Sequence, residues 1–254
     1  MSRRPRANRV RQLALPQLLP NLLTLGAICA GLTSLRFAIA GRFGEAVGLI
    51  ILAAILDALD GRMARMMGSE SAIGAELDSL ADFLNFGVVT GMLVYLSMLS
   101  DIANLGWIAV LVYVVGCVLR LARFNVDARS PAPGPSLGGF IGVPSPAGAM
   151  LAMLPLFLNE ALPAGTDVPD ILSALWLVIV GFLLISRIPT PSLKKLKMRP
   201  EYLPYWVILL VAIIAVLFTW PWWTLIAADV AYLCVVGWSA LRRLSKQGKS
   251  DHEA

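Results

Sequence analysis

The sequence predicts an all-α fold, a polytopic integral-membrane bundle of about eight transmembrane helices with both termini on the cytoplasmic side. Three observations carry that prediction. Hydrophobic residues make up 58% of the 254 and charged residues only 15%, with a mean hydropathy of +0.76, which is the composition of a membrane protein and not of a soluble domain. The apolar residues fall into runs of roughly spanning length. Lys and Arg collect at alternate ends of those runs. The net charge of +5 therefore reads as a topology signal, and no basic face remains for nucleic acid.

Taken in order, the opening segment 1–17 carries Arg3, Arg4, Arg6, Arg9 and Arg11 and precedes an apolar run from Leu22 to Ala40. Ala38-Ile39-Ala40 mimics a signal-peptidase site. The run is longer than the ~7–15 residues of a signal core, so it is read as an uncleaved first span. Further runs at 46–59, 84–100, 104–122, 143–158, 171–188, 203–219 and 224–241 complete the set. Residues 18–188 then form a core of six helices, 189–244 add two more, and 245–254 are a polar tail expected to be disordered. Strand-like alternation is absent from the pattern, so the backbone must satisfy itself in lipid through helices and not through a barrel.

Charge placement fixes the orientation. With the amino terminus inside, Arg62, Arg65, Arg120, Arg123, Arg129, Arg187, Lys194, Lys195, Lys197, Arg199, Arg242, Arg243, Lys246 and Lys249 are all cytoplasmic, and only Arg36 and Arg42 fall outside. Asp101, Glu160, Asp167 and Asp170 occupy outward loops. Trp220, Trp222 and Trp223 mark the outer turn between the last two runs, and Tyr202, Tyr205 and Trp206 the inner start of the seventh, as interfacial anchors do. Lys194, Lys195, Lys197 and Arg199 suit either anionic lipid or plain anchoring. Cys29, Cys117 and Cys234 lie in apolar runs with no disulfide or zinc spacing. His252 is the sole histidine and sits in the tail, which leaves acid–base chemistry to carboxylates.

The stretch DALDGRMARMMGSESAIGAELDSLAD, from Asp57 to Asp82, conflicts with its setting. An unpaired Asp or Arg at mid-bilayer costs about 2.5–3.5 kcal/mol on insertion scales, so four Asp with Arg62 and Arg65 would exceed roughly 10 kcal/mol. Asp57 and Asp60 are three apart, and Asp78 and Asp82 four apart, so each pair shares a helix face. Two helix ends can bring four carboxylates together. Oxygen-only ligands suit two divalent cations, Mg²⁺ or Mn²⁺, and a two-metal site stabilises phosphoryl transfer. Gly61 and Gly74 permit close approach of backbone to a bulky ligand.

The spacing D-x2-D-G-x2-A-R-x8-G-x3-D-x3-D, complete in this sequence, closely resembles the signature of the CDP-alcohol phosphotransferase family of membrane enzymes. The resemblance implies metal ligation by Asp57, Asp60, Asp78 and Asp82, with Asp82 also serving as base. It implies that Gly61, Ala64, Arg65 and Gly74 line the CDP moiety, and it implies a homodimer. Upstream, Asn21 and Thr24 stand one turn apart after Pro20; they are either hydrogen-bond partners for phosphate or cytidine of the CDP-lipid or ordinary helix-start residues.

Arg120-Leu-Ala-Arg123-Phe-Asn125 ends the fourth run, and a loop with Pro131, Pro133, Pro135, Gly134, Gly138 and Gly139 leads into Phe140-Ile-Gly142-Val-Pro144-Ser145-Pro146. Arg120 and Arg123 share a face and read as an anion clamp for the acceptor or a phosphate, or as snorkelling anchors. RLARFN followed by F-x-G-x-P-x-P resembles the branch of the family whose acceptor is L-serine. The resemblance thus implies CDP-diacylglycerol and L-serine as substrates, in a multi-pass protein of the inner membrane whose site faces the cytoplasm. The aspartate motif alone does not separate serine from glycerol phosphate, inositol phosphate or choline. A cation transporter or proton relay is the rival of another class, but its acids belong near the midplane and not at one face.

Overall fold

The computed structural model describes residues 19–68, 71–129, 139–163, 165–186, 189–191 and 202–250. The basic opening segment, the proline-rich loop 130–138, the Lys194–Arg199 cluster and His252 lie outside the described residues.

Each apolar run is helical over most of its described residues. Helix α1 spans Leu19–Ile39, α2 Phe43–Met67, α3 Ala72–Leu99 and α4 Ala103–Arg129. Then come α5 (Ser145–Ala152), α6 (Leu154–Ala161), α7 (Asp170–Ile185), α8 (Leu203–Thr219) and α9 (Pro221–Ser250). Among the described residues, four stretches are long and apolar enough to cross a bilayer: Leu19–Ile39, Ala72–Leu99, Ala103–Asp127 and Pro221–Ala240. Helix α2 has the length, with 25 residues or about 37 Å of rise, but its last turns carry the charged motif.

Helices α1 and α2 form a hairpin closed at Gly41, whose φ of 72° is a left-handed conformation suited to glycine. Small residues let the pair approach: Ala27, Ala30 and Ala53 are buried together, and Ser34 donates to the Ala46 carbonyl at 2.7 Å. Helix α4 crosses α7 with backbones in contact, since a Cβ on Gly116 would lie 2.6 Å from the Gly181 carbonyl oxygen. Phe86, Tyr113 and Phe157 are the largest side chains in the fully buried core.

Three features escaped the sequence pattern. Helix α3 contains two π-helical segments, Phe83–Val89 and Tyr95–Leu99. In the first, Asn85 O accepts the Thr90 N–H five residues on and also Thr90 Oγ1 at 2.9 Å, and Phe86 O accepts the Tyr113 hydroxyl at 2.5 Å. The run at 143–158 is split at Met153. Pro155 has no N–H to give the Leu151 carbonyl, and the Trp176 indole donates to it instead at 2.6 Å. A short antiparallel pair, β1 (Gly139–Ile141) and β2 (Pro189–Pro191), joins the F-x-G segment to the chain after α7, with Phe140 opposite Thr190.

One expectation is corrected. The tail from residue 245 is helical through Ser250, because extending an established helix by Lys, Gln and Ser costs little once α9 has nucleated, and a single Gly248 adds only about 1 kcal/mol.

Candidate active site

The motif residues sit where α2 ends and α3 begins. Helix α2 stops at Gly68, a left-handed cap with φ 57° and ψ 29° whose N–H returns to the carbonyls of Ala64 and Arg65. Ser71 caps α3, its hydroxyl accepting from Gly74 N at 3.0 Å. Helix α1 packs against both α2 and α3, so three helix ends surround one space.

Ligand oxygens of Asp57, Asp60 and Asp78 lie within 4.8 Å of one another, and Asp57 is within side-chain hydrogen-bonding reach of Asp78 and Asp82. All four carboxylates therefore converge. At that spacing each ionised pair among Asp57, Asp60 and Asp78 repels by about 3–4 kcal/mol for an effective dielectric near 20. Asp60 is 3% exposed. Its Oδ2 accepts from Thr24 Oγ1 at 2.5 Å, while its Oδ1 and Asp82 Oδ1 are buried without a partner. Buried oxygen acceptors lacking donors, in a cluster with no His or Cys, fit hard divalent cations. The donor set present thus matches the metal that the motif implies.

Beside the cluster is a cavity of about 270 Å³ lined by Pro20, Asn21, Thr24, Asp60, Gly61, Ala64, Arg65, Ser71, Gly74, Ala75 and Asp78. Asn21, Thr24, Gly61, Ala64, Arg65 and Gly74, scattered over 54 positions of sequence, all face it. Gly74 keeps it open: a Cβ there would stand 3.1 Å from Ser71 Oγ and 3.2 Å from Asn21 Oδ1. Thr24 is buried, and its hydroxyl is committed to Asp60, with the Pro20 carbonyl also 3.1 Å away. It orients a carboxylate more than it reaches a ligand. Ser71 and Ala75 went unnoticed in the sequence, although S-x-x-G before an apolar helix is a legible cap signal.

Arg120, Arg123 and Asn125 are not among the residues lining the cavity. Arg120 donates from Nε to Val143 O at 2.6 Å and from Nη1 to Ser145 Oγ, tying α4 to the start of α5. Its charge also acts on Asp82 and Asp57. Arg123 donates to Ile185 O at 2.9 Å and Ser186 O at 3.4 Å, capping the end of α7. Asn125 Oδ1 accepts from Ser79 Oγ at 3.1 Å, on the α3 turn between Asp78 and Asp82. Of these three, Arg120 is the one whose charge acts on the carboxylates.

The arrangement offers an acidic cluster able to hold cations, a polar cavity beside it, and carboxylate oxygens free of described donors. Comparison with known proteins agrees. Residues 17–186 match the model of the CDP-alcohol phosphatidyltransferase family. The CDP-diacylglycerol–serine O-phosphatidyltransferase of Mycobacterium leprae is 41% identical over 237 residues, covering 92% of this chain and 77% of that one. The enzyme of that name from Mycobacterium tuberculosis is 38% identical over 221 residues, 86% and 76% of the two chains, and that from Helicobacter pylori 34% over 180 residues, 71% and 74%. The chain belongs to the CDP-alcohol phosphatidyltransferase family.

Proposed function

We propose that this membrane enzyme transfers the phosphatidyl group of CDP-diacylglycerol to the hydroxyl of L-serine, giving phosphatidylserine and CMP. The observation that carries the reading is the convergence of Asp57, Asp60 and Asp78, with Asp82 in reach of Asp57, beside a cavity lined by the glycines and arginine of the same motif. The relatives named for this reaction, from three bacterial genera and at up to 41% identity, support serine as acceptor.

Asp57, Asp60, Asp78 and Asp82 hold two divalent cations, Mg²⁺ or Mn²⁺, which when bound neutralise charge on the diphosphate and on the entering and leaving oxygens. Asn21, Gly61, Ala64, Arg65 and Gly74 take the CDP portion, with Arg65 supplying charge-assisted hydrogen bonds to phosphate oxygens. Thr24 fixes Asp60. Asp82 accepts the proton of the serine hydroxyl as its oxygen bonds to the phosphorus that carries the diacylglycerol. The bond from that phosphorus to the bridging oxygen breaks, and CMP leaves with the bridging oxygen. Arg120 faces Asp82 and binds the acceptor's carboxylate. Arg123 and Asn125 brace that side of the site.

The same reading has eight membrane spans, both termini in the cytoplasm and a multi-pass inner-membrane protein whose site opens to the cytoplasm. The alternating positions of Lys and Arg support it. Residues 18–188 are its catalytic core and 189–244 a two-helix addition. A homodimer is carried with it from the family resemblance.

The test is CMP release by the purified protein in detergent with CDP-diacylglycerol, Mg²⁺ or Mn²⁺, and a panel of alcohols. Serine-dependent release is expected. Release with only glycerol phosphate, inositol phosphate or choline would move the reading to another acceptor, and ion flux in liposomes without CMP release would replace it with transport.

A further inference from the structure

Helix α9 lies outside the stretch matched to the family, residues 17–186, yet it turns two polar groups into the protein that the chemistry above does not use. The Tyr232 hydroxyl and Asp229 Oδ2 are each buried without a hydrogen-bond partner. Three residues apart, they share one face of α9. A buried hydroxyl left unpaired inside a membrane protein is costly, and such groups commonly await a ligand.

Their surroundings differ. Helix α9 packs on α5, α6 and β2, so its inner face adjoins the segment that Arg120 holds through Val143 and Ser145. The Tyr232 ring packs against the main core, and its hydroxyl lies within the field of Arg120. Arg120 in turn has Asp82 as its strongest charge partner. The charge of Arg120 thus acts on both the proposed base and the phenol. Its described hydrogen bonds use Nε and Nη1, and among the described residues none takes Nη2. Asp229, one turn along the same face, has no described charge acting on it.

We infer that Tyr232 is a specificity-determining residue supplied by the last helix, its hydroxyl and Arg120 Nη2 together binding the carboxylate of the amino-acid acceptor. The inference rests on the serine-transfer reading. In a β-hydroxy amino acid the carboxylate is separated from the hydroxyl-bearing carbon by a single carbon. An acceptor whose hydroxyl reaches Asp82 therefore carries its carboxylate toward Arg120. An alcohol without that carboxylate leaves the phenol and the guanidinium edge unpaired, and a site built around hydrogen bonds rejects such a substrate strongly.

The experiment uses the full-length protein in detergent and measures the KM of L-serine, the KM of CDP-diacylglycerol, kcat and Tm for the wild type, Tyr232→Phe and Asp229→Asn. Tyr232→Phe is expected to raise the serine KM about tenfold or more while the CDP-diacylglycerol KM and the Tm stay at wild-type values. Asp229→Asn, which alters the same helix face one turn away, is expected to keep the wild-type serine KM. An unchanged serine KM in Tyr232→Phe overturns the assignment, as does an equal rise in both variants or a Tyr232→Phe protein that does not fold, since these assign the hydroxyl to packing. Wild-type protein that releases no CMP with serine sinks the underlying reading, and this assignment with it.

Discussion

Two polar regions sit at the same end of the bundle and use their side chains in opposite ways. Around the cavity, Asn21, Arg65 and the four aspartates converge on one space, and Asp60 Oδ1 and Asp82 Oδ1 have no donor. On the α4 side, Arg120, Arg123 and Asn125 are bonded to backbone and to a neighbouring helix. The first region is open to a ligand and electrostatically unfinished; the second is braced. Residue type does not distinguish them, because an arginine at a helix end serves either purpose. What separates them is whether another part of the chain already occupies the donors. The proposed catalysis therefore draws on the first region and rigidity on the second, with Arg120 linked to both through its charge on Asp82.

The largest effect that tests this contrast is at the acid cluster. Asp82→Asn is expected to lower turnover by ~10²–10⁴, the usual worth of a general base, while leaving the Tm without divalent cations at or above the wild-type value under the same conditions, since one repelling charge is removed. Asp78→Asn should behave in the same way. Near-normal CMP release from either variant would show that the cluster is not the catalytic centre. Chelation sharpens the point: removing divalent cations should stop turnover and also lower the wild-type Tm, because a ligand bound only by the folded state stabilises it. That drop should be smaller in Asp78→Asn, which holds metal less well.

Next in size is the comparison of two arginines. Arg65→Ala removes an exposed cavity-lining guanidinium and should raise the KM for CDP-diacylglycerol by ~10–100-fold, corresponding to a charge-assisted hydrogen bond of about 1.5–3 kcal/mol, with little change in Tm. Arg123→Ala should do the reverse. It leaves the carbonyls of Ile185 and Ser186 without their donors, costing about 1–3 kcal/mol of stability, and should leave the CDP-diacylglycerol KM near wild type. Matching profiles from the two variants would erase the distinction between open and braced regions.

Much of the open region was legible because its chemistry conflicts with its setting. Four Asp in a chain of 58% hydrophobic residues demand compensation, and the three- and four-residue spacings state which faces they share. The helices were legible for the same reason, since apolar length is a strong signal. The braced region was less so. No local pattern says that Arg123 ends on a carbonyl 62 residues away, that Trp176 replaces the donor missing at Pro155, or that Gly139–Ile141 pairs with Pro189–Pro191. These are long-range hydrogen bonds that repair local defects, and each partner alone looks ordinary. The π-helical stretch after Asp82 was hidden likewise, because Thr90 and Tyr113 become informative only once their hydroxyls are seen on the carbonyls of Asn85 and Phe86.

The smallest predicted effect lies where the two regions touch. Ser79 sits on α3 between Asp78 and Asp82, and its hydroxyl reaches Asn125 Oδ1 and the Ala75 carbonyl, each at 3.1 Å. Ser79→Ala removes that link between the acid cluster and the end of α4. A neutral, partly buried hydrogen bond contributes about 0.5–1.5 kcal/mol, so a Tm lower by about 2–4 °C per kcal/mol is expected for a chain of this size. If Asn125 braces, the serine KM stays at its wild-type value, because the Asn125 amide has lost only a structural partner. If Asn125 instead holds the acceptor, freeing its side chain shifts the serine KM with no comparable change in Tm. Measuring both on one variant therefore decides to which region Asn125 belongs.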